Sequence, residues 1–281
     1  MAKLKLPSDI KKTVKAALKE DIGKGDITAS LIPTEARATA TVITRETAIL
    51  CGCEWFNETL LQLNDEIMIS WQVQDGDLIN ENQTLCTVQG PARAILSAER
   101  VALNFLQLLS GIATESRRYA DRVKDLKTAI RDTRKTIPGL RLAQKYAVRC
   151  GGCENHRTGL YDGVLIKENH ILACGSITRA VEKIRASHPE MLIEVEVENL
   201  DEFHEALNAK ADMVLLDNFD RAMLQRAVIL NKGQAKLEAS GGVTFNEIRG
   251  LAESGIDYIA IGSLTKDVRS IDLSMRFTTE T

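Results

Sequence analysis

The chain has 281 residues, with 36 Lys and Arg against 39 Asp and Glu, for a formal net charge of −3. At 44% hydrophobic and 27% charged residues it reads as a globular chain of one large domain or two modest ones. The charge balance excludes a global basic field for nucleic acid. No apolar run nears the roughly 18 residues of a membrane span, and Met1 to Pro7 lacks the apolar core of a signal peptide, so the cytoplasm is the expected compartment.

In chain order, Ser8 reads as an N-cap ahead of Ile10, Val14, Ala17 and Leu18, which share one helical face. That helix is expected to end near Glu20-Asp21, before the turn-rich Gly23–Asp26. From Ala38 to Val88 the pattern is mostly strand, with runs at Ala38–Ile43, Ile67–Trp71 and Thr84–Val88 and turns at Asp75-Gly76-Asp77 and Gly90-Pro91. Ala94–Val123 reads as a long helix with an apolar stripe at Val101, Phe105, Leu108, Leu109 and Ile112, and Ser110-Gly111 is where a break is expected. Cys51-Gly-Cys53 and Cys150-Gly-Gly-Cys153 resemble zinc half-sites, but reduced structural thiols are the expectation for all six cysteines.

After residue 124 the period changes. Apolar runs of strand length (Thr128–Ile130, Gly163–Ile166, Leu192–Val197, Met213–Leu216, Ala235–Ala239, Tyr258–Ile261) alternate with helical segments. The helices are expected at Leu140–Arg149, Ile177–Ser187, Asp201–Ala209, Arg221–Leu230 and Phe245–Glu253. This is the rhythm of βαβ units and a parallel sheet. Six strands, with one more to be found, fit a closed or nearly closed barrel of TIM type, with a doubly wound open sheet as the alternative. No Gly-x-Gly-x-x-Gly follows the first strand, which counts against a dinucleotide site. Ile271–Thr281 shows no further βα unit and is expected to pack back on the N-terminal part.

In such folds ligands sit at the C-terminal ends of the strands. Those ends carry Asp132, Thr133, Arg134 and Lys135; then Lys167, Asn169 and His170; then Glu194, Glu196 and Glu198; then Asp217 and Asn218; then Ser240, Gly241 and Gly242; then Gly262 and Ser263. The last two ends offer bare backbone N–H groups where helices are expected to open, a pairing that suits phosphate. Arg134, Arg157 and Lys167 point to a strongly anionic ligand, against the alternative of solvated surface ion pairs. Lys167 is also a candidate Schiff-base lysine. Glu196 and Asp217 suit a Mg²⁺ ligand, an acceptor for sugar hydroxyls, or a stabiliser of a cationic transition state. The face carrying Glu194 and Glu196 is either solvated at an edge or inward and paired. His156 is an anion contact or a structural loop histidine.

Taken together the motifs resemble quinolinate phosphoribosyltransferase, the decarboxylating nicotinate-nucleotide pyrophosphorylase, of the proteobacterial type. They are Glu20-Asp-x-x-x-Gly-Asp26-x-Thr28, Glu99-Arg100-x-x-Leu-Asn104 with Leu109-Ser-Gly111, Asp132-Thr-Arg-Lys-Thr136, Asn155-His-Arg157, Leu165-Ile-Lys167-Glu-Asn-His170, Glu194-Val-Glu196, Leu216-Asp217-Asn218 and Ser240-Gly-Gly242. The resemblance spans nearly the whole chain. It implies an N-terminal α/β sandwich, residues 1–108 with 266–281 packing back, and an incomplete TIM-like α/β barrel, residues 109–265. It implies a homodimer with shared sites, sometimes assembled further, in which Arg100 reaches into the partner's site. Arg134, His156, Arg157 and Lys167 would hold the two carboxylates of quinolinate. Lys135, Glu196, Asp217, Ser240, Gly241 and Gly262 would hold phosphoribosyl pyrophosphate, with Mg²⁺ as cofactor, and Thr133 would lie at the junction. Gly242 sits where some relatives carry another residue.

Two enzyme alternatives stay open: a sister phosphoribosyltransferase acting on a different base, and a barrel Schiff-base lyase using Lys167. A carrier reading of Val73–Asp77 and Asn80–Leu85 fails, because no lysine lies between Ser70 and Pro91 to carry the prosthetic group.

Overall fold

The computed structural model describes residues 4–279. Its strands in chain order are β1 (Arg37–Thr44), β2 (Ala48–Ile49), β3 (Met68–Trp71), β4 (Leu78–Ile79), β5 (Thr84–Pro91), β6 (Ala129–Arg131), β7 (Val164–Ile166), β8 (Ile193–Val197), β9 (Met213–Asp217), β10 (Lys236–Ser240), β11 (Tyr258–Ala260) and β12 (Leu273–Thr279). Contacts group the chain into two units. One holds Met1–Arg117, Thr136–Gly152 and Leu264–Thr281; the other holds Arg118–Lys135 and Cys153–Ser263.

The first unit is built on an antiparallel sheet of order β12-β1-β5-β3. β1 alternates, with Ala38, Ala40, Val42 and Thr44 buried and the residues between them partly exposed, the signature of a strand with one covered face. That face packs on Phe56 and Leu60 of the helix Cys53–Leu63 and on Ile95, Ala102 and Leu106 of the helix Ala92–Asp121. Each such fully buried side chain contributes about 1.5–3 kcal/mol relative to exposure. The expected return of the tail is β12, which pairs with β1 from Ala38–Thr279 to Thr44–Leu273.

Three local expectations are corrected here. The first helix runs Ile10–Ile22, with Asp9 and not Ser8 at its N-cap. Cys53–Leu63, inside the stretch expected to be mostly strand, is helical. Trp55, Phe56, Thr59 and Leu60 form its buried stripe, and Asp75 Oδ1 accepts from the amides of Gly52 and Cys53 at its start. The helix Ala92–Asp121 passes through Ser110-Gly111 without a break. Gly111 serves packing instead, since a Cβ there would lie 2.1 Å from the Arg269 carbonyl oxygen. This helix is long and apolar enough by composition to cross a membrane, but most of its apolar stretch is buried within the fold.

The second unit carries a parallel sheet of order β6-β11-β10-β9-β8-β7. A seventh element is a single bridge, Glu154 pairing parallel with Arg131, fixed by Glu154 N to Ile130 O at 2.8 Å and Asp132 N to Glu154 O at 3.1 Å. The barrel is therefore incomplete: β6 and β7 end the sheet and do not pair with each other. Side-chain caps start the outer helices. Ser176 accepts from Arg179 N, Asn199 from Glu202 N and Asp220 from Met223 N.

Candidate active site

The register of the parallel sheet decides which side chains meet. Aligned residues of neighbouring strands project to the same face. Glu194 aligns with Met213, Glu196 with Leu215, Leu215 with Glu238, Asp217 with Ser240, and Glu238 with Tyr258. The alternate residues Ile193, Val195, Val197, Val214, Leu216, Leu237 and Ile259 are 0–1% exposed and form the opposite, apolar face. The polar face is thus the barrel interior, and the C-terminal strand ends form one rim.

Onto that rim come Thr133, Arg134 and Lys135 after β6, Lys167 after β7, Glu196 near the end of β8 and Asp217 ending β9. Ser240 ends β10 and leads to Gly241 and Gly242; Gly262 and Ser263 follow β11. His156 and Arg157 follow the Glu154 bridge. Arg100 lies in the first unit, exposed on the helix Ala92–Asp121.

The interior carboxylates are paired, as inward acids must be. Glu196 Oε2 forms an ion pair with Lys167 Nζ. Glu194 Oε2 accepts from His156 Nε2 at 2.7 Å. Glu198, one step beyond β8, is exposed, so the solvated reading holds for it alone. Burial, then the neighbouring Arg134, lowers the pKa of the Arg157 guanidinium, and NH1 of Arg157 is tied to the Gly163 carbonyl at 3.0 Å.

His156 does more than either sequence reading supposed. Its Nδ1 accepts the Arg157 amide at 2.8 Å, which places the ring proton on Nε2, facing Glu194. Burial opposes its imidazolium form, but Glu194 and Glu238 outweigh burial and raise its pKa. His156, Glu194 and Glu238 lie close enough together to suggest a metal, yet an Nε2 that carries a proton is no ligand.

Two interior residues escaped sequence reasoning. Glu238 is fully buried and pairs with Arg131 at 3.1 Å, while Arg131 lies over the Tyr258 ring, 3.2 Å from its centroid. Burial, then Glu194, pushes the Glu238 carboxyl up to about 7. The period-two pattern of Lys236–Ser240 was the available signal, since it turns Glu238 to the same side as Ser240.

At the other end of the rim, two loops interlock. Gly241 has φ +100, and a Cβ there would lie 2.1 Å from Asn218 Oδ1. Asn218 N donates to Ser240 O at 3.0 Å and its Nδ2 to Asp217 Oδ2 at 2.8 Å. A Cβ on Gly262 would lie 2.9 Å from Lys135 Cδ and 3.5 Å from Thr133 Oγ1, so the bare glycine gives Lys135 its path. Ser263 opens a short helix, Ser263–Lys266. Ser240–Gly242 does not open one, because the next helix starts at Ile248; this expectation is corrected. Glu196 and Asp217 are hard oxygen donors on adjacent strands, a set that suits Mg²⁺ shared with phosphate oxygens.

The zinc reading of the cysteines gains little. Cys51, Cys150 and Asp75 cluster within 4.8 Å. Asp75, however, already accepts from two amides and from the Tyr146 hydroxyl, and burial holds the Cys51 thiol in its protonated form.

Comparison with known proteins gives consistent matches over the whole chain. Residues 26–110 match the family of the quinolinate phosphoribosyl transferase N-terminal domain, and residues 112–276 that of its C-terminal domain. A probable nicotinate-nucleotide pyrophosphorylase [carboxylating] of Bacillus subtilis is 41% identical over 270 residues, covering 96% of this chain and 93% of that protein. The nicotinate-nucleotide pyrophosphorylase [carboxylating] of Mycobacterium leprae is 40% identical over 274 residues, covering 94% and 95%. The structure of the nicotinate-nucleotide pyrophosphorylase from Francisella tularensis superposes with a TM-score of 0.92 at 46% identity, covering 98% of each chain.

Proposed function

The chain belongs to the quinolinate phosphoribosyltransferase family, and on that premise we propose that the rim of the second unit is its catalytic centre. The enzyme transfers phosphoribose from phosphoribosyl pyrophosphate to quinolinate with loss of CO₂. The products are nicotinate mononucleotide and pyrophosphate, on the de novo route to NAD. The observation that carries the site assignment is the gathering of Arg134, Lys135, Arg157 and Lys167 at the C-terminal strand ends of one parallel sheet and its bridge.

In this reading Arg134, Arg157 and Lys167 take the quinolinate carboxylates, with His156 behind them. Lys135, Ser240, Gly241, Gly242, Gly262 and Ser263 take the phosphates, with Thr133 between the two groups. The pyridine nitrogen attacks the anomeric carbon as pyrophosphate leaves. Glu196 or Asp217 stabilises the oxocarbenium-like carbon or accepts from the ribose hydroxyls. The quaternised ring then accepts the electron pair left by departing CO₂, and a proton replaces the carboxylate. Glu196 and Asp217 would hold Mg²⁺, which when bound offsets the charge of the pyrophosphate. The assembly is a cytoplasmic homodimer, or a higher oligomer built from it, with Arg100 completing the quinolinate end of its partner's site.

The test is incubation with quinolinate, phosphoribosyl pyrophosphate and Mg²⁺. Stoichiometric CO₂ and nicotinate mononucleotide are expected. A nucleotide formed from nicotinate without CO₂ would favour the sister activity. Borohydride trapping of substrate on Lys167 would favour the lyase; the ion pair with Glu196, which engages the ammonium, speaks against it.

A further inference from the structure

The segment Asn155–Arg157 carries the proposed substrate contact Arg157 and His156 behind it, yet the sheet hardly holds it. Its ladder bonding is confined to the single bridge at Glu154, and the sheet ends at β7 without pairing to it. Side chains do the holding. Asp132, 0% exposed at the end of β6, accepts from Asn155 Nδ2 at 2.7 Å through Oδ2 and from the His156 amide at 2.9 Å through Oδ1. The His156 ring, anchored on Glu194, then receives the Arg157 amide. Asp132 also directly precedes Thr133-Arg134-Lys135. One carboxylate thus stitches the loop that bears Arg134 to the segment that bears Arg157.

We infer that Asp132 is a positioning residue for the quinolinate end of the site: it ties the segment that bears Arg157 to the loop that bears Arg134. The inference rests on the proposed roles of those two arginines. A buried carboxylate with both oxygens bonded to one segment fixes geometry and does not contact the reactants. Losing it lets the segment shift, and a displacement of about 1 Å at a binding group costs up to about 100-fold.

The roles of shape and charge separate cleanly. In Asp132→Asn one oxygen still accepts the His156 amide, and the Asn155 amide can turn over to accept from the new NH₂. In Asp132→Ala both ties are lost.

The experiment measures KM for quinolinate and for phosphoribosyl pyrophosphate in D132A, D132N, N155A and R157A, with thermal melting as the control for folding. The expected result is a rise in quinolinate KM of about tenfold or more in D132A, a smaller rise in N155A, pyrophosphate-donor KM within about twofold, and recovery in D132N to within about threefold of wild type. Should D132A fail to fold, N155A and D132N carry the comparison. The inference is overturned if quinolinate KM stays unchanged in folded D132A or N155A, if both KM values rise together, or if D132N is as impaired as D132A. If R157A also leaves quinolinate KM unchanged, it is the reading of Arg157 that fails; if R157A is impaired and D132A is not, only the role of Asp132 fails.

Discussion

Arg134 stands close enough to Arg157 to lower the pKa of its guanidinium, second only to burial. The two cations come from separate segments of one unit, and a dianion bound there would be favoured by both charges. The planar fork also matters, because a carboxylate can take two bonds from it at once. Arg157→Lys should therefore keep the charge and lose the fork, raising quinolinate KM by about 10- to 100-fold. Steady-state kinetics at saturating phosphoribosyl pyrophosphate checks this; an unchanged KM would remove Arg157 from the binding set.

The two phosphate-loop glycines should respond differently to a methyl group. Gly262→Ala meets Lys135 Cδ, part of a flexible side chain, so the fold should survive while KM for phosphoribosyl pyrophosphate rises several-fold. Gly241→Ala meets both the Asn218 amide nitrogen and its side chain at a positive φ, and should lose about 1–3 kcal/mol of stability along with activity. Denaturant midpoints and KM values measured on both variants distinguish the cases.

The raised Glu238 carboxyl predicts a pH slope in stability. Folding holds its proton more tightly than the unfolded chain does, so between about 4.5 and about 7 the folded state binds more protons. Its contribution is complete below that window, declines as pH rises through it, and levels off above. His156, whose pKa is also raised, acts in the same direction. Glu238→Gln should flatten the decline; denaturant midpoints that fall just as steeply in the variant would contradict the assignment.

If sites are shared between subunits, Arg100→Ala and Lys167→Ala should each be inactive alone, and a mixture allowed to exchange subunits should regain part of the activity. Failure to regain any, after exchange is confirmed by mass spectrometry of the mixed dimers, would place Arg100 elsewhere.

The barrel strands and the rim were legible because period-two and βα rhythms translate directly into faces and ends. Glu194 and Glu196 illustrate it: their alternation with Val195 and Val197 put both on one face, either solvated at an edge or inward and paired, and His156 and Lys167 supply the partners of the inward reading. What sequence missed depends on contacts between distant segments. Glu238 meets Arg131 across 107 residues, and the strand pattern that turns Glu238 inward does not name that partner. The helix Cys53–Leu63 was hidden because Trp55, Phe56 and Leu60 suit a strand as well as a helix, and Asp75, which caps it, lies 22 residues away from Cys53. The phosphate loop misled in the opposite sense, since Ser240-Gly-Gly242 looked like a helix start although Gly241 is shaped by Asn218.

β12 gives the first unit a temporal constraint. β1 is flanked by β5 on one side and by the last strand of the chain on the other. During synthesis the ribosome releases residues 38–44 long before residues 273–279 exist, so the nascent unit carries a bare strand edge until β12 emerges. Completion of this layer therefore waits on a strand made more than two hundred residues after β1, and a protein lacking β12 would be born with an adhesive flank open to other chains.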